Sequence, residues 1–301
     1  MVLLTNFWLN SPMAKAKLSL LILSTAALLS LALATPVLAA DPHGVEFPSL
    51  HRDKTVLKGF LVKPDGDGPF AAVALFHGCG GPLTSKGAIA ARERAWMNVF
   101  VEEGYVVLLV DSFNPRGFAG ICTTRVRPIT AEEDRPYDAY AALGWLRQQP
   151  FVKADKIAMM GWSHGAMTTL STISDATIKD VGWQQPGYVT GVTFYPGCLD
   201  LSKTRYRTQV PLLMQLGEKD DWTPARYCLK LADMAKQGGG TIEVDTYAGA
   251  YHAFDNPGGS VRTRSTSNKT GTRTVHVGRD PEAAERSMAR VKAWMATFLK
   301  E

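Results

Sequence analysis

Ser163 lies between two glycines in the stretch Gly161-Trp162-Ser163-His164-Gly165, directly after the apolar run Ile157–Met160. A serine hydroxyl is a weak nucleophile at neutral pH. It becomes a strong one only when a neighbouring base takes its proton and a third group orients that base. Two later stretches offer those groups: Gly217-Glu-Lys-Asp220-Asp221-Trp-Thr-Pro224 supplies acids, and Tyr251-His252-Ala-Phe254 supplies an imidazole. The assignment is Ser163 as nucleophile, His252 as general base and Asp220 as the orienting acid. Attack on a carbonyl also places negative charge on its oxygen, which preorganised backbone N–H groups must receive. His164 N–H, immediately after the serine, is one candidate. Cys79 N–H, in His77-Gly-Cys-Gly-Gly81, is the other, with Gly80 as its near alternative.

At average glycine and serine usage the bare pattern G-x-S-x-G arises in roughly one chain of this length in ten, so its setting has to decide. That setting is a strand before the serine, a helix after it, and an acid and then a histidine later in the chain. Lys156–Trp162 reads as a short buried strand and Ser163–Ser174 as a helix. Runs at 55–64, 70–76, 105–111, 188–196, 210–217 and 241–247 read as further strands. Helices are expected between them: one ends at Gly104, one runs from Thr130 or Asp134 to about Gln149, and one follows Pro224. A last helix is capped by Asp280 with Pro281 at its first position. Continuous apolar runs such as Tyr105–Val110 fit parallel strands covered on both faces. The fold class is therefore α/β, a mostly parallel central sheet with helices on both faces. The chain order serine, acid, histidine is that of an α/β-hydrolase.

Several residues have competing readings. Asp221 is the exposed neighbour of Asp220, and His276 competes with His252 but sits in a polar loop. His77 is read as structural, holding the first oxyanion loop. Phe113, Trp162, Tyr195 and Trp222 are candidate walls of an acyl pocket, and Arg116 a candidate anion contact. No H-E-x-x-H or paired C-x-x-C occurs, and Glu132–Asp134 reads as the acidic first turn of a helix, so no metal is expected. Residues 256–279 are rich in Gly, Ser and Thr and long for a connection without structure, which leaves a lid or a disordered segment.

The 301-residue chain has a formal net charge of +5. Lys15, Lys17, the apolar run Leu18–Ala34 and the small residues near Ala39 have the build of a secretory signal peptide spanning 1–39, with Met13 an alternative start to Met1. Loss of 1–39 leaves +3. That balance, with no aromatics interleaved among the arginines of 262–273, gives no nucleic-acid partner, and no later run is long enough to span a bilayer. Residues 40–301 suit one domain, exported and periplasmic or secreted. Four cysteines, Cys79, Cys122, Cys198 and Cys228, suit two disulfides in an exported chain. Sequence does not choose among the three pairings; Cys198 with Cys228 and Cys79 with Cys122 is the pairing expected.

Taken in order, HGCGG, DSFNPRG, GWSHG, GEKDDWTP and YHAFD resemble the dienelactone hydrolase family over roughly residues 50–300. The resemblance implies a hydrolase of small carboxylic esters or lactones that works through an acyl-enzyme without a cofactor. Its G-x-x-D-x-x-x-P pattern falls on Asp220 and its H-x-F pattern on His252. The family's namesakes use cysteine at the elbow, so Ser163 places this chain nearer an exported serine branch. They also carry an arginine soon after the catalytic histidine, and HAFDNPGG has none. A peptidase, a thioesterase, an acyltransferase or a non-catalytic binding protein on the same fold are the alternatives.

Overall fold

The structure is a computed structural model that describes residues 41–300 apart from Lys269. The expected signal peptide at 1–39 lies outside the described residues. Among the described residues eight strands form one sheet: β1 (His43–Pro48), β2 (Val56–Val62), β3 (Phe70–Phe76), β4 (Val106–Asp111), β5 (Val152–Trp162), β6 (Gly191–Phe194), β7 (Leu212–Gly217) and β8 (Ile242–Tyr247). Their order is β1-β2-β4-β3-β5-β6-β7-β8; β1 and β2 pair antiparallel, and the strands from β4 to β8 run parallel.

Alternate residues of the central strands feed two separate cores, as the two-residue period of a strand requires. Ala72, Ala74 and Phe76 of β3 pack with α2 (Arg135–Arg147), α3 (His164–Thr172) and α5 (Ala225–Gln237). Val73 and Leu75 pack instead with α1 (Ala91–Glu102) and α6 (Pro281–Leu299). Both faces are therefore covered, which is why these strands read as unbroken apolar runs. Asp280 caps α6 through the Ala283 N–H, with Pro281 inside the first turn.

The start of α2 resolves a conflict in the sequence signals. Thr130 Oγ1 does accept the Glu133 N–H, at 3.1 Å, but in a turn held by Asp134 before the helix. The helix itself opens at Arg135 with Pro136 in its first turn. Glu132–Asp134 thus precede the helix and do not form its first turn. Three features lie outside the sequence reading. One is the edge strand β1, a second is α4 (Asp175–Val181), capped by Ser174, and the third is a hairpin of β9 (Arg262–Asn268) and β10 (Gly271–Val277).

Candidate active site

β5 delivers Ser163 to the carboxyl edge of the sheet on a turn that admits little but glycine around it. Ser163 itself has φ 51°, a left-handed conformation that a non-glycine residue adopts at a cost. A Cβ at Gly161 would lie 2.2 Å from Gly165 O, and one at Gly165 would lie 1.9 Å from Phe76 O. The two glycines are thus required by close backbone approach within the elbow and against β3. α3 begins at His164, so the serine sits at a helix N-terminus.

β7 and β8 bring the other two groups to the same edge. His252 Nε2 lies 3.0 Å from Ser163 Oγ, and His252 Nδ1 lies 2.7 Å from Asp220 Oδ2. Asp220 is saturated: Oδ1 accepts the N–H groups of Trp222 and Thr223, and Oδ2 also accepts the Thr223 hydroxyl. A carboxylate so fixed makes Nδ1 the protonated nitrogen and leaves the Nε2 lone pair facing the serine. The rings of Tyr195 and Trp222 each lie 4.6 Å from the His252 ring. Tyr195 and Ala253 join Ser163 among the non-glycine residues with positive φ, so backbone strain gathers at this edge.

Two loops bring backbone donors toward the serine. His164 N–H is the first of its helix and has no partner within it. The N–H groups of Cys79 and Gly80 likewise meet no acceptor among the described residues. The first loop is anchored by His77, whose buried ring spans Gly78 O at Nδ1 (2.8 Å) and the Ser112 N–H at Nε2. Burial, then the nearby Arg135 charge, holds His77 well below its usual range, and the same two causes act on His164. Cys79 is bonded to Cys122, and Cys198 to Cys228.

A cavity of about 220 Å³ opens over Ser163 and His252. Its walls include Cys79, Trp222, Arg92, Arg262 and Arg264. The last two come from β9, which docks through the Ser267 N–H and Thr266 hydroxyl on Cys122 O. The Arg264 guanidinium lies 5.6 Å from the centre of the Trp222 ring. Neither Arg262 nor Arg264 has an acidic partner among the described residues, whereas Arg92 is paired with Glu93. The segment 256–279, read from sequence as a lid or as disorder, is largely this ordered hairpin.

Four residues read as pocket walls or contacts stand elsewhere. Arg116 is not free for an anion: it grips Asp138 with two nitrogens, each at 2.9 Å, and Asp53 with a third. Phe113 is buried against the rings of His77 and His164. Trp162 and Tyr195 point into the core and bond Asp255 through Nε1 and the hydroxyl. Of the aromatics proposed as walls, Trp222 lines the cavity. Asp221 and His276, the competitors for the acid and base, bond each other at 2.7 Å on the surface.

Sequence reasoning passed over Thr223, Asp255, Arg92 and Arg135. Asp255 accepts the indole N–H groups of Trp96 and Trp162 as well as the Tyr195 hydroxyl, tying the His252 loop to the strand that carries Ser163. Its place three residues after His252 was the available signal. Among the described residues no group of three or more His, Cys, Asp or Glu side chains is gathered to hold a metal ion.

A strand-elbow-helix serine, with an acid and a histidine from later strand ends, defines an α/β-hydrolase site. The family model for the dienelactone hydrolase family matches residues 57–299, and the chain belongs to that family. A probable 2-oxo-3-(5-oxofuran-2-ylidene)propanoate lactonase of Bradyrhizobium is 26% identical over 161 residues, covering 50% of this chain and 62% of the lactonase. Two probable dipeptidyl-aminopeptidases B, of Phaeosphaeria nodorum and Arthroderma gypseum, match over only 8% and 14% of their own lengths. The chain therefore spans less than two thirds of each of these curated relatives. Among solved structures, Thermogutta terrifontis esterase 2 superposes with TM-score 0.60 at 18% identity, covering 87% of this chain and 97% of the esterase. A dienelactone hydrolase-like promiscuous phosphotriesterase from metagenomic libraries gives 0.58 at 20%, covering 86% and 100%. These two likenesses establish the fold.

Proposed function

We propose that the protein is a serine hydrolase of small carboxylic esters or lactones, acting through an acyl-enzyme on Ser163. The observation that carries this reading is the unbroken chain Ser163 Oγ, His252 Nε2, His252 Nδ1 and Asp220 Oδ2, with links of 3.0 and 2.7 Å. His252 takes the serine proton as Oγ attacks the carbonyl carbon, then returns it to the leaving oxygen. Asp220 orients the imidazole and stabilises the imidazolium. Cys79 N–H and His164 N–H receive the developing oxyanion, a contribution of about 2.7–4 kcal/mol for each donor in comparable sites. Water, activated by His252, then cleaves the acyl-enzyme.

The cavity's small volume suits a short acyl group. Its unpaired Arg262 and Arg264 favour a substrate with a negative group beyond the scissile bond, in place of the post-histidine arginine this chain lacks. Two disulfides support an oxidising compartment, in line with export behind a signal peptide at 1–39 and one hydrolase domain from residue 40. No helix among the described residues is long and apolar enough to cross a membrane. The test is turnover of a short-chain p-nitrophenyl ester by residues 40–301. Wild type should be active, and Ser163→Ala and His252→Ala should each lose about 10³-fold or more in kcat. A folded wild type with no turnover would favour the binding-protein reading instead.

A further inference from the structure

Arg135 opens α2 with its side chain fully buried. Its Nη1 donates to His77 O at 2.9 Å and also lies 2.9 Å from His164 Nδ1. His77 begins the loop that carries Cys79, and His164 is the residue whose N–H follows the nucleophile. A single nitrogen therefore spans the two segments that would supply the oxyanion donors. The guanidinium face rests over the Phe113 ring, 5.2 Å from its centre, and that ring packs edge-on to both histidines.

The rest of the guanidinium is poorly served. Nε and Nη2 are buried without a hydrogen-bond partner among the described residues. The nearby carboxylates are engaged elsewhere: Asp138 with Arg116 and Ser49, Asp111 with the backbone and side chain of Asn114 and the Phe113 N–H. Burial pushes Arg135 down to about 9, which leaves it charged at neutral pH. A charge buried without an ion-pair partner is costly to a fold, and an apolar residue would fill the same space without that cost. Its one fully made set of contacts is the bridge between the two loops.

We propose that Arg135 is a positioning residue of the oxyanion hole, holding the Cys79 loop and the nucleophile elbow at a fixed separation through His77 O and His164 Nδ1. The proposal rests on the reading of Ser163 as nucleophile. Because the bridge fixes His164 Nδ1 as acceptor, the imidazole stays neutral with its proton on Nε2, and the ring cannot swing the first turn of α3 away from the loop. Substrate need not touch Arg135. Its effect falls on the tetrahedral intermediate, whose oxygen requires both donors at once, and little on the bound ester.

The experiment compares wild type with Arg135→Met and Arg135→Lys, with rates expressed per site titrated by a serine-directed phosphonate. Arg135→Met should lower kcat by about 10- to 100-fold with KM within about twofold, because a transition-state contact is weakened and ground-state binding is not. The inhibition constant of phenylboronic acid, which forms a tetrahedral anionic adduct on the serine, should rise by the same factor. Arg135→Lys keeps the charge but not the planar fork, and should recover part of both losses. A residue that only supported folding would lower the number of titrated sites and leave kcat per site and boronate affinity unchanged; that result overturns the proposal. Should Arg135→Met not fold, Arg135→Lys alone decides it: coupled losses in kcat and boronate affinity support the bridge, and wild-type values for both refute it. A wild type that turns over no ester and takes up no phosphonate would overturn the nucleophile reading and this one together, whereas an active wild type with unaffected Arg135 variants would overturn this one alone.

Discussion

The two disulfides should differ in what their loss does, although their loss should cost nearly the same stability. Cys79 and Cys122 close a loop of 43 residues, and Cys198 and Cys228 one of 30. Loop-closure entropy then assigns about 4 kcal/mol to the first bond and about 3.6 kcal/mol to the second. Removing either pair as a double Cys→Ala variant should lower Tm by about 8–16 °C for a domain of this size. Catalysis should separate them. Cys79 carries a proposed oxyanion N–H, its carbonyl accepts the Ile121 N–H at 2.8 Å, and the hairpin docks on Cys122 O. Losing an oxyanion donor outright costs about 10²–10³ in kcat, so loosening its tether should cost about tenfold or more. Neither Cys198 nor Cys228 lines the cavity, and their removal should leave kcat within about twofold. The assay is ester turnover per phosphonate-titrated site beside calorimetric Tm. Equal effects of the two pairs on kcat, or an unaffected Cys79→Ala/Cys122→Ala enzyme, would refute the link between this disulfide and the oxyanion loop.

Other consequences concern charge. His77 and His164 are held well below 6.5 in the folded protein by burial, so the unfolded chain takes up their protons first as pH falls. Stability should be constant above about pH 6.5 and then decline, by about 1.4 kcal/mol per histidine at pH 5.5. Thermal melts between pH 7.5 and 5.5 measure this; His164→Gln should remove about half of the decline, and a pH-independent Tm would exclude the effect. Asp220→Asn should lower kcat by about 10⁴-fold because the imidazole loses its orienting acceptor. Asp221→Asn, which loses only an exposed pair with His276, should stay within about twofold; the reverse ranking would reassign the acid. Arg264→Ser should lower kcat/KM about tenfold for an ester bearing a distal carboxylate and leave its neutral analogue unchanged, with the difference fading at high salt. Equal losses for both esters would count against an anion contact.

How much of this was legible in the sequence depended on which physical signal each segment carried. The ends of the strands that carry Ser163 and Asp220 are buried, mostly apolar runs closed by or followed by glycine, and parallel burial produces that pattern directly; β8, which leads to His252, lies at the sheet edge and mixes apolar with polar residues. The same double-sided burial hid the pocket. Phe113, Trp162 and Tyr195 lie at strand ends, where composition does not distinguish a side chain facing the core from one facing a cavity. The hairpin escaped because its exposed face is threonine, serine and arginine, and only Thr266, Ser267, Val275 and Val277 are buried. Its Asn268 and Gly271 turn residues and its β-branched content were the available signals. Arg116 looked free because its acidic partners, Asp53 and Asp138, are 63 and 22 residues away in sequence. Arg135 was silent for the same reason: its two acceptors come from β3's end and from the elbow.

The most direct test of the central claim is to trap the covalent intermediate. Residues 40–301 would be treated with a fluorophosphonate probe and the modified peptide identified by mass spectrometry. One adduct per chain on Ser163, formed at a rate that collapses in His252→Ala, is the expected result. A folded protein that stays unlabelled, or is labelled at another residue, would contradict the assignment of Ser163 as the nucleophile.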